Sequence, residues 1–363
     1  MAVLAVIAFH TGAVTGGFVG VDVFFVISGF LITRLLWAEL GHNGRVDLVG
    51  FYAARARRLL PAAGVVLVAT GLAAVAILPA LQARTVLDDG LASALYVGNY
   101  RFAITGTDYL AHAAPSPFQH YWSLGVEEQF YLVWPAVLLG AVALLGRSRG
   151  AAVAVLAMLG AGSLWLSLTW TQTLPPWAFF SLPTRAWELA AGALIALTAT
   201  AWRRLPPGFA ALAGFGGLGL IGWSCLRFDQ QTPYPGTAAL VPVAGAVLVV
   251  AAGCSAPRRA AGRWLSVPVM RALGRLSYSW YLWHWPILVL APVALGYPLG
   301  WAGRAAAVGG SLLLAVLTLH YVERPVRYAV GLRRSSGRSL ALGSVITAAA
   351  VSARKYRFRK RVL

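Results

Sequence analysis

Apolar residues run along this chain in long blocks, not at alternating or amphipathic intervals. The blocks lie at 2–12, 19–38, 62–80, 120–146, 151–171, 183–200, 208–225, 237–254, 276–296, 302–321 and 339–353, divided by short polar, glycine- or proline-bearing stretches. About 20 consecutive apolar residues carry a helix across the hydrocarbon of a bilayer. The pattern therefore predicts an all-α, polytopic integral membrane protein with about ten transmembrane helices and a partial eleventh. The stretch 81–119 breaks the pattern. Its piece LDDGLASALYVGNYRFA carries two aspartates and an arginine. It predicts an amphipathic or re-entrant segment, which at membrane depth must be buried in protein or line a wet cavity.

Composition sharpens this reading. Of 363 residues, 59% are hydrophobic and 11% charged, and the mean hydropathy is +0.71. A soluble domain carries about 25% charged residues, so a single core with a polar surface is excluded, and so is disorder. The net charge of +19 raises nucleic acid as a partner, which would call for a basic stripe. The arginines instead form short clusters between apolar blocks, the pattern of the positive-inside rule. With the amino terminus cytoplasmic, most of them fall in inner loops, among them Arg147, Arg258 and Arg259. Arg84, Arg101, Arg185, Arg227 and Arg304 fall on the outer side. The expectation is a multi-pass protein of the inner or plasma membrane, partnered by the lipid bilayer and by no nucleic acid. The tail SARKYRFRKRVL breaks the rule if 339–353 crosses. Cys225 and Cys254 fall near opposite ends of successive spans, which predicts no disulfide and no metal site of the zinc type.

Ionisable residues inside spans are costly and therefore informative. His10 ends the run MAVLAVIAF; Asp22 heads the second span; Glu127 and Glu128 lie in HYWSLGVEEQFYLVWP; Glu188 is in PTRAWELAAG and His284 in SYSWYLWHWP. An imidazole at His10 is either an interhelical hydrogen-bonding group or a general base suited to neutral pH. Glu127 and Glu128 are about 100° apart around a helix and point different ways; either one faces a cavity while the other meets a neighbouring helix, or they serve only to join helices. Arg55, Arg57 and Arg58 occupy GRVDLVGFYAARARRLLPA, with Arg55 and Arg58 on one helix face. They either set topology or clamp phosphate through their guanidinium forks. Gly12, Gly16, Gly17 and Gly20 allow a tight turn between the first two spans. Ser277, Tyr281 and His284 recur at i, i+4 and i+7 and share a face that would line a polar seam.

Taken in order, FHTGAVTGGFVGVDVFFVISGFLITRLL, FYAARARRLLPA, FQHYWSLGVEEQFYLVWP, PTRAWELAAGAL, GRLSYSWYLWHWPI and HYVERPVR resemble the acyltransferase-3 family of membrane O-acyltransferases. The resemblance covers roughly residues 1–330, an acyltransferase-3 transmembrane domain; residues 331–363 are left as the partial eleventh span and basic tail. It is strongest to the bacterial subgroup that O-acetylates lipopolysaccharide O-antigen, peptidoglycan or other extracellular glycans. The resemblance implies a role for His10 in acyl transfer and donor handling by Arg55 and Arg58 with Arg57 nearby. It also aligns Asp22, Glu127 and Glu128 with the family's acidic positions. The implied donor is acyl-CoA, as acetyl-CoA, a substrate and not a bound cofactor; the implied acceptor is a carbohydrate hydroxyl outside the membrane.

Two features depart from that family. The stretch before His10 is short, about 15 Å of helix, and points to missing upstream residues. The SGNH hydrolase-like domain of the fused relatives is expected to be absent, as in a truncated reading frame. Two other readings stay open at this point. One is a carrier that flips or exports a lipid-linked sugar, although no inverted repeat of the kind many carriers show is visible. The other is an inactive remnant.

Overall fold

The computed structural model describes residues 1–110, 115–146, 148–255 and 261–358, without the side chains of residues 350 and 352–358. Arg147, Arg258, Arg259 and the basic tail beyond 351 thus lie outside what is described for backbone or side chain. Among the described residues the chain is helical throughout. In chain order the helices are α1 (Ala2–His10), α2 (Gly20–Asn43), α3 (Leu48–Ile77), α4 (Ala80–Ala94), α5 (Gly98–Ile104) and α6 (Tyr121–Leu145). There follow α7 (Arg149–Thr173), α8 (Pro175–Phe180), α9 (Leu182–Leu197), α10 (Ala199–Trp202), α11 (Pro207–Arg227) and α12 (Leu240–Ser255). The last are α13 (Ala261–Leu265), α14 (Pro268–Leu295), α15 (Trp301–Thr318), α16 (Arg324–Tyr328), α17 (Val330–Arg333) and α18 (Ser336–Phe358).

Each apolar block is therefore a helix or the body of one. Among the described residues, six segments have the length and composition to cross a membrane: Gly17–Asn43, Leu48–Ile77, Tyr121–Leu145, Arg149–Thr173, Pro207–Arg227 and Trp301–Tyr328. Leu240–Ser255 is apolar but shorter. Their surfaces keep large apolar side chains uncovered, among them Leu35, Leu72, Leu132, Leu144 and Leu212. That suits hydrocarbon, where the helix satisfies its own backbone polar groups. The stretch read as amphipathic or re-entrant forms α4 and α5.

The chain divides into two compact units. The first comprises Met1–Val46, Phe102–Ala111 and Val126–Leu273. In it α2 and α7 pack on α9, α11 packs on α12, and α12 touches α2 and α9. Two glycines permit the α2–α9 contact. A Cβ on Gly29 would stand 1.8 Å from the Leu189 carbonyl oxygen, and one on Gly192 would stand 1.8 Å from that of Val26. The backbones meet with no room for a methyl group, the usual role of small residues between membrane helices. Trp134 on α6 adds a hydrogen bond from Nε1 to Thr33 Oγ1 on α2, 2.8 Å.

The second unit comprises Asp47–Arg101, His112–Gly125 and Gly274–Leu363. Here α3 is the central helix, packed by α4, α16 and α18. Its start is set by Asp47, whose Oδ1 accepts from Gly50 N at 2.9 Å, an N-cap that satisfies an otherwise orphaned donor. Gly64 and Gly343 bring α18 close. Added Cβ atoms there would meet Ile346 Cγ2 at 2.5 Å and Leu60 Cδ1 at 2.7 Å.

Candidate functional site

In the first unit, the chain leaves α1 directly after His10. The half-buried imidazole places Nε2 2.9 Å from the Tyr109 hydroxyl. Tyr109 lies between α5 and α6. Its ring stacks on Phe179, with centroids 4.6 Å apart, and meets Phe180 edge-on at 6.2 Å. Phe9 packs edge-on against Phe18 at 5.3 Å. Offset and edge-to-face aromatic pairs are favourable and directional, so His10 is held at the rim of an aromatic box.

The back of that box is charged. Asp22, Arg185 and Glu188 are each no more than 1% exposed. Arg185 NH2 donates to Asp22 Oδ1 at 2.8 Å and to Glu188 Oε2 at 3.3 Å, and its Nε lies 3.0 Å from Glu188 Oε1. The guanidinium sits 5.6, 5.7 and 5.5 Å from the ring centroids of Phe25, Phe179 and Tyr234. A buried charge is tolerable only when paired and hydrogen-bonded, and the close α2–α9 crossing supplies the pairing. Tyr234, in the connection between α11 and α12, is buried beside this cluster. Burial, with the neighbouring Asp22 carboxylate, pushes its phenol well above the ordinary value. It therefore stands there as a neutral hydroxyl. Phe179 touches both Tyr109 and Arg185, and so links the imidazole to the ion cluster.

Glu127 on α6 is held by the Ser28 hydroxyl, which donates to Oε1, and by Tyr131, whose hydroxyl donates to the same oxygen at 3.4 Å. Glu128 is the next residue of α6 and is half-buried like Glu127. His10, Asp22, Glu127 and Glu128 all belong to the first unit.

Arg55, Arg57 and Arg58 belong to the second unit and differ from one another. Arg57 NH1 donates to Ser339 Oγ at 2.7 Å and to the Leu332 carbonyl at 3.3 Å, so this side chain fastens α3 to the chain from α17 to α18. The Arg55 guanidinium lies over the Phe51 ring at 5.3 Å. Arg58 is exposed. One turn beyond, Pro61 interrupts α3; lacking an N–H, it cannot complete the helical bond to the Arg57 carbonyl.

Of Ser277, Tyr281 and His284, the last two are buried among polar partners and the first is not. Tyr281 OH donates to the His120 carbonyl at 2.9 Å and lies 2.8 Å from Ser123 Oγ. His284 Nδ1 lies 2.7 Å from the Tyr281 carbonyl, and its ring centroid is 5.9 Å from that of His120. Ser277 instead bonds back to Gly274 O at 2.9 Å within its own helix.

Sequence reading missed three residues of this arrangement. Arg185 entered only as an outer arginine, although a glutamate three positions on in an apolar block is the signature of a buried pair. His120 opens the WSL-containing segment, where the acidic pair carries the stronger sequence signal. Tyr109 carries no local signal, because its role is set by tertiary packing.

Residues 1–320 match the family Acyl_transf_3, described as an acyltransferase domain. YrhL of Bacillus subtilis (strain 168) is 35% identical over 345 residues, covering 90% of this chain and 53% of that protein. Peptidoglycan O-acetyltransferase OatA of Listeria monocytogenes is 31% identical over 341 residues, covering 90% of this chain and 54% of its own length. O-acetyltransferase OatA of Staphylococcus aureus (strain NCTC 8325) is 28% identical over 348 residues, with 90% and 55% covered. The chain spans about half the length of these relatives. No solved structure matches it.

Proposed function

The chain belongs to the acyltransferase-3 family, and from that premise we propose that it moves an acetyl group from cytoplasmic acetyl-CoA to a hydroxyl of an extracytoplasmic glycan. Peptidoglycan is the acceptor class favoured by the name of the Listeria relative. In this reading the chain crosses the inner or plasma membrane about ten times with its amino terminus in the cytoplasm.

His10 acts as the general base. It takes the proton of the acceptor hydroxyl as that oxygen attacks the thioester carbonyl. The C–S bond then breaks, and the departing thiolate recovers the proton from the imidazolium, leaving an ester and free CoA thiol. Arg55 and Arg58 hold the donor's phosphates through charge-assisted hydrogen bonds. Asp22 acts through Arg185 and the aromatic box and is a positioning residue. Glu127 and Glu128 are the acids assigned to the acceptor side.

The observation that carries this reading is the imidazole of His10, seated in an aromatic box with a phenol hydroxyl 2.9 Å from Nε2. The test is the full chain in vesicles with labelled acetyl-CoA and a soluble glycan acceptor. Acceptor-dependent release of free thiol is expected, and its loss in His10→Ala at normal protein level. Labelled sugar crossing the bilayer without thiol release would overturn the reading in favour of a carrier.

A further inference from the structure

The motif HYVERPVR has no part in the chemistry assigned so far. Its backbone also departs from α-helical geometry. After α15 the chain widens into a π-helical turn, Leu319–Glu323, in which the Arg324 N–H reaches back five residues to Leu319 O. Pro325 follows at the start of α16 and has no N–H to give. Such π turns are rare and concentrate at functional sites.

The turn and α16 pack on α3. Glu323 is buried, at 3% exposure, although its neighbours on α16 reach solvent. Ser279 Oγ donates to Glu323 Oε2 at 3.1 Å, and Arg327 NH1 stands 3.7 Å from Oε1. Arg58 and Arg324 are also close enough to interact with this carboxylate electrostatically. The Tyr278 hydroxyl, one residue from Ser279, donates to Leu59 O at 2.9 Å and ties α14 to the turn that carries Arg58.

One guanidinium thus stands 3.7 Å from a buried carboxylate, and Arg58 and Arg324 lie within its electrostatic reach. Arg58 is exposed, Arg324 is partly exposed and the Arg327 side chain is 39% exposed, so none of the three is closed off inside the protein. One carboxylate offsets one of the three charges, which leaves a site fit for a multiply charged anion. Guanidinium forks match phosphate oxygens in geometry as well as charge.

We infer that Arg58, Arg324 and Arg327 form one phosphate subsite, anchored from beneath by Glu323, and that it takes the nucleotide end of the thioester donor. The inference rests on the donor assignment given above and adds Arg324 and Arg327 to it. Glu323 is a positioning residue: it sets the spread of the three forks without touching the ligand. An anionic lipid headgroup offers the same phosphate chemistry, so the test must separate the two sources.

The experiment uses the full chain in phosphatidylcholine nanodiscs, with coenzyme A as the probe. Arg324→Gln and Arg327→Gln should each weaken CoA binding about tenfold, the effect of one lost charge-assisted bond. Arg327→Lys, which keeps the charge, should weaken it less. Arg333→Gln, an exposed arginine on α17, should bind as the parent does. Thermal unfolding of each variant shows whether the fold is kept, and the Lys variant carries the test if a Gln variant unfolds. Variants that bind CoA like the parent overturn the subsite while leaving the donor reading intact. Variants that bind CoA like the parent but lose labelled phosphatidylglycerol assign the arginines to lipid and also overturn it. Failure of the parent chain to bind CoA overturns the donor assignment itself.

Discussion

The hydroxyl of Tyr109 lies 2.9 Å from Nε2 of His10, across 99 positions of sequence. If His10 is the base, this phenol fixes the plane of the imidazole and shares one proton position with it. Tyr109→Phe removes the hydroxyl and keeps the ring that stacks on Phe179. Acyl transfer by this variant should fall about tenfold in kcat, the worth of one hydrogen bond, with the donor KM unchanged. Steady-state thiol release checks it, and a KM change alone would contradict the positioning role.

The buried ion cluster supports a stability prediction. Arg185→Met leaves Asp22 and Glu188 without their cation in a region closed to water. Removing one member of a buried pair costs about 3–5 kcal/mol. The variant should lose its thermal transition or show it many degrees lower. Replacing Asp22, Arg185 and Glu188 together by apolar residues of similar volume should recover much of that loss, measured by the same melt in detergent.

Crossing of α2 and α9 is equally testable. Gly29→Ala puts a methyl group where the Leu189 carbonyl oxygen already sits, and Gly192→Ala does the same against Val26. Each should destabilise by about 1–3 kcal/mol or more as the helices separate. Because the Arg185–Asp22 bond bridges these same helices, activity should fall along with stability. Gly162→Ala on α7, where a Cβ would meet nothing within 4 Å, should be neutral or slightly stabilising.

Arg57 separates itself from its neighbours. Its bonds go to Ser339 and to the Leu332 carbonyl, so Ser339→Ala should loosen α18 without removing an arginine. Faster amide exchange across 336–349 is expected, with CoA affinity weakened far less than by loss of Arg58. Arg58→Gln should do the reverse, weakening CoA about tenfold with exchange in α18 unaltered.

Much of the fold was legible in the blocks, because apolar runs of span length have few other uses. Block 339–353 lies within α18, and block 276–296 lies almost wholly within α14, which begins earlier, at Pro268. The number of crossings was less legible, since blocks such as 183–200 and 237–254 form helices of 16 residues. At the site, residue types were readable and partnerships were not. Asp22 and Glu188 stood out as ionisable groups in apolar surroundings. Their common partner Arg185 was counted with the loop arginines, because charge rules treat arginines alike. Tyr109 and His10 meet only after folding, and so do Glu323 and the α3 arginines.

One further consequence follows from the grip of Arg57 on the last helix. The same turn of α3 that carries Arg55 and Arg58 is tied, through the Arg57 guanidinium, to Leu332 of α17 and Ser339 of α18. Torque or pull exerted on that final helix would be delivered first to the row of arginines, so whatever engages the carboxyl-terminal end gains mechanical leverage over how firmly an anion is held there.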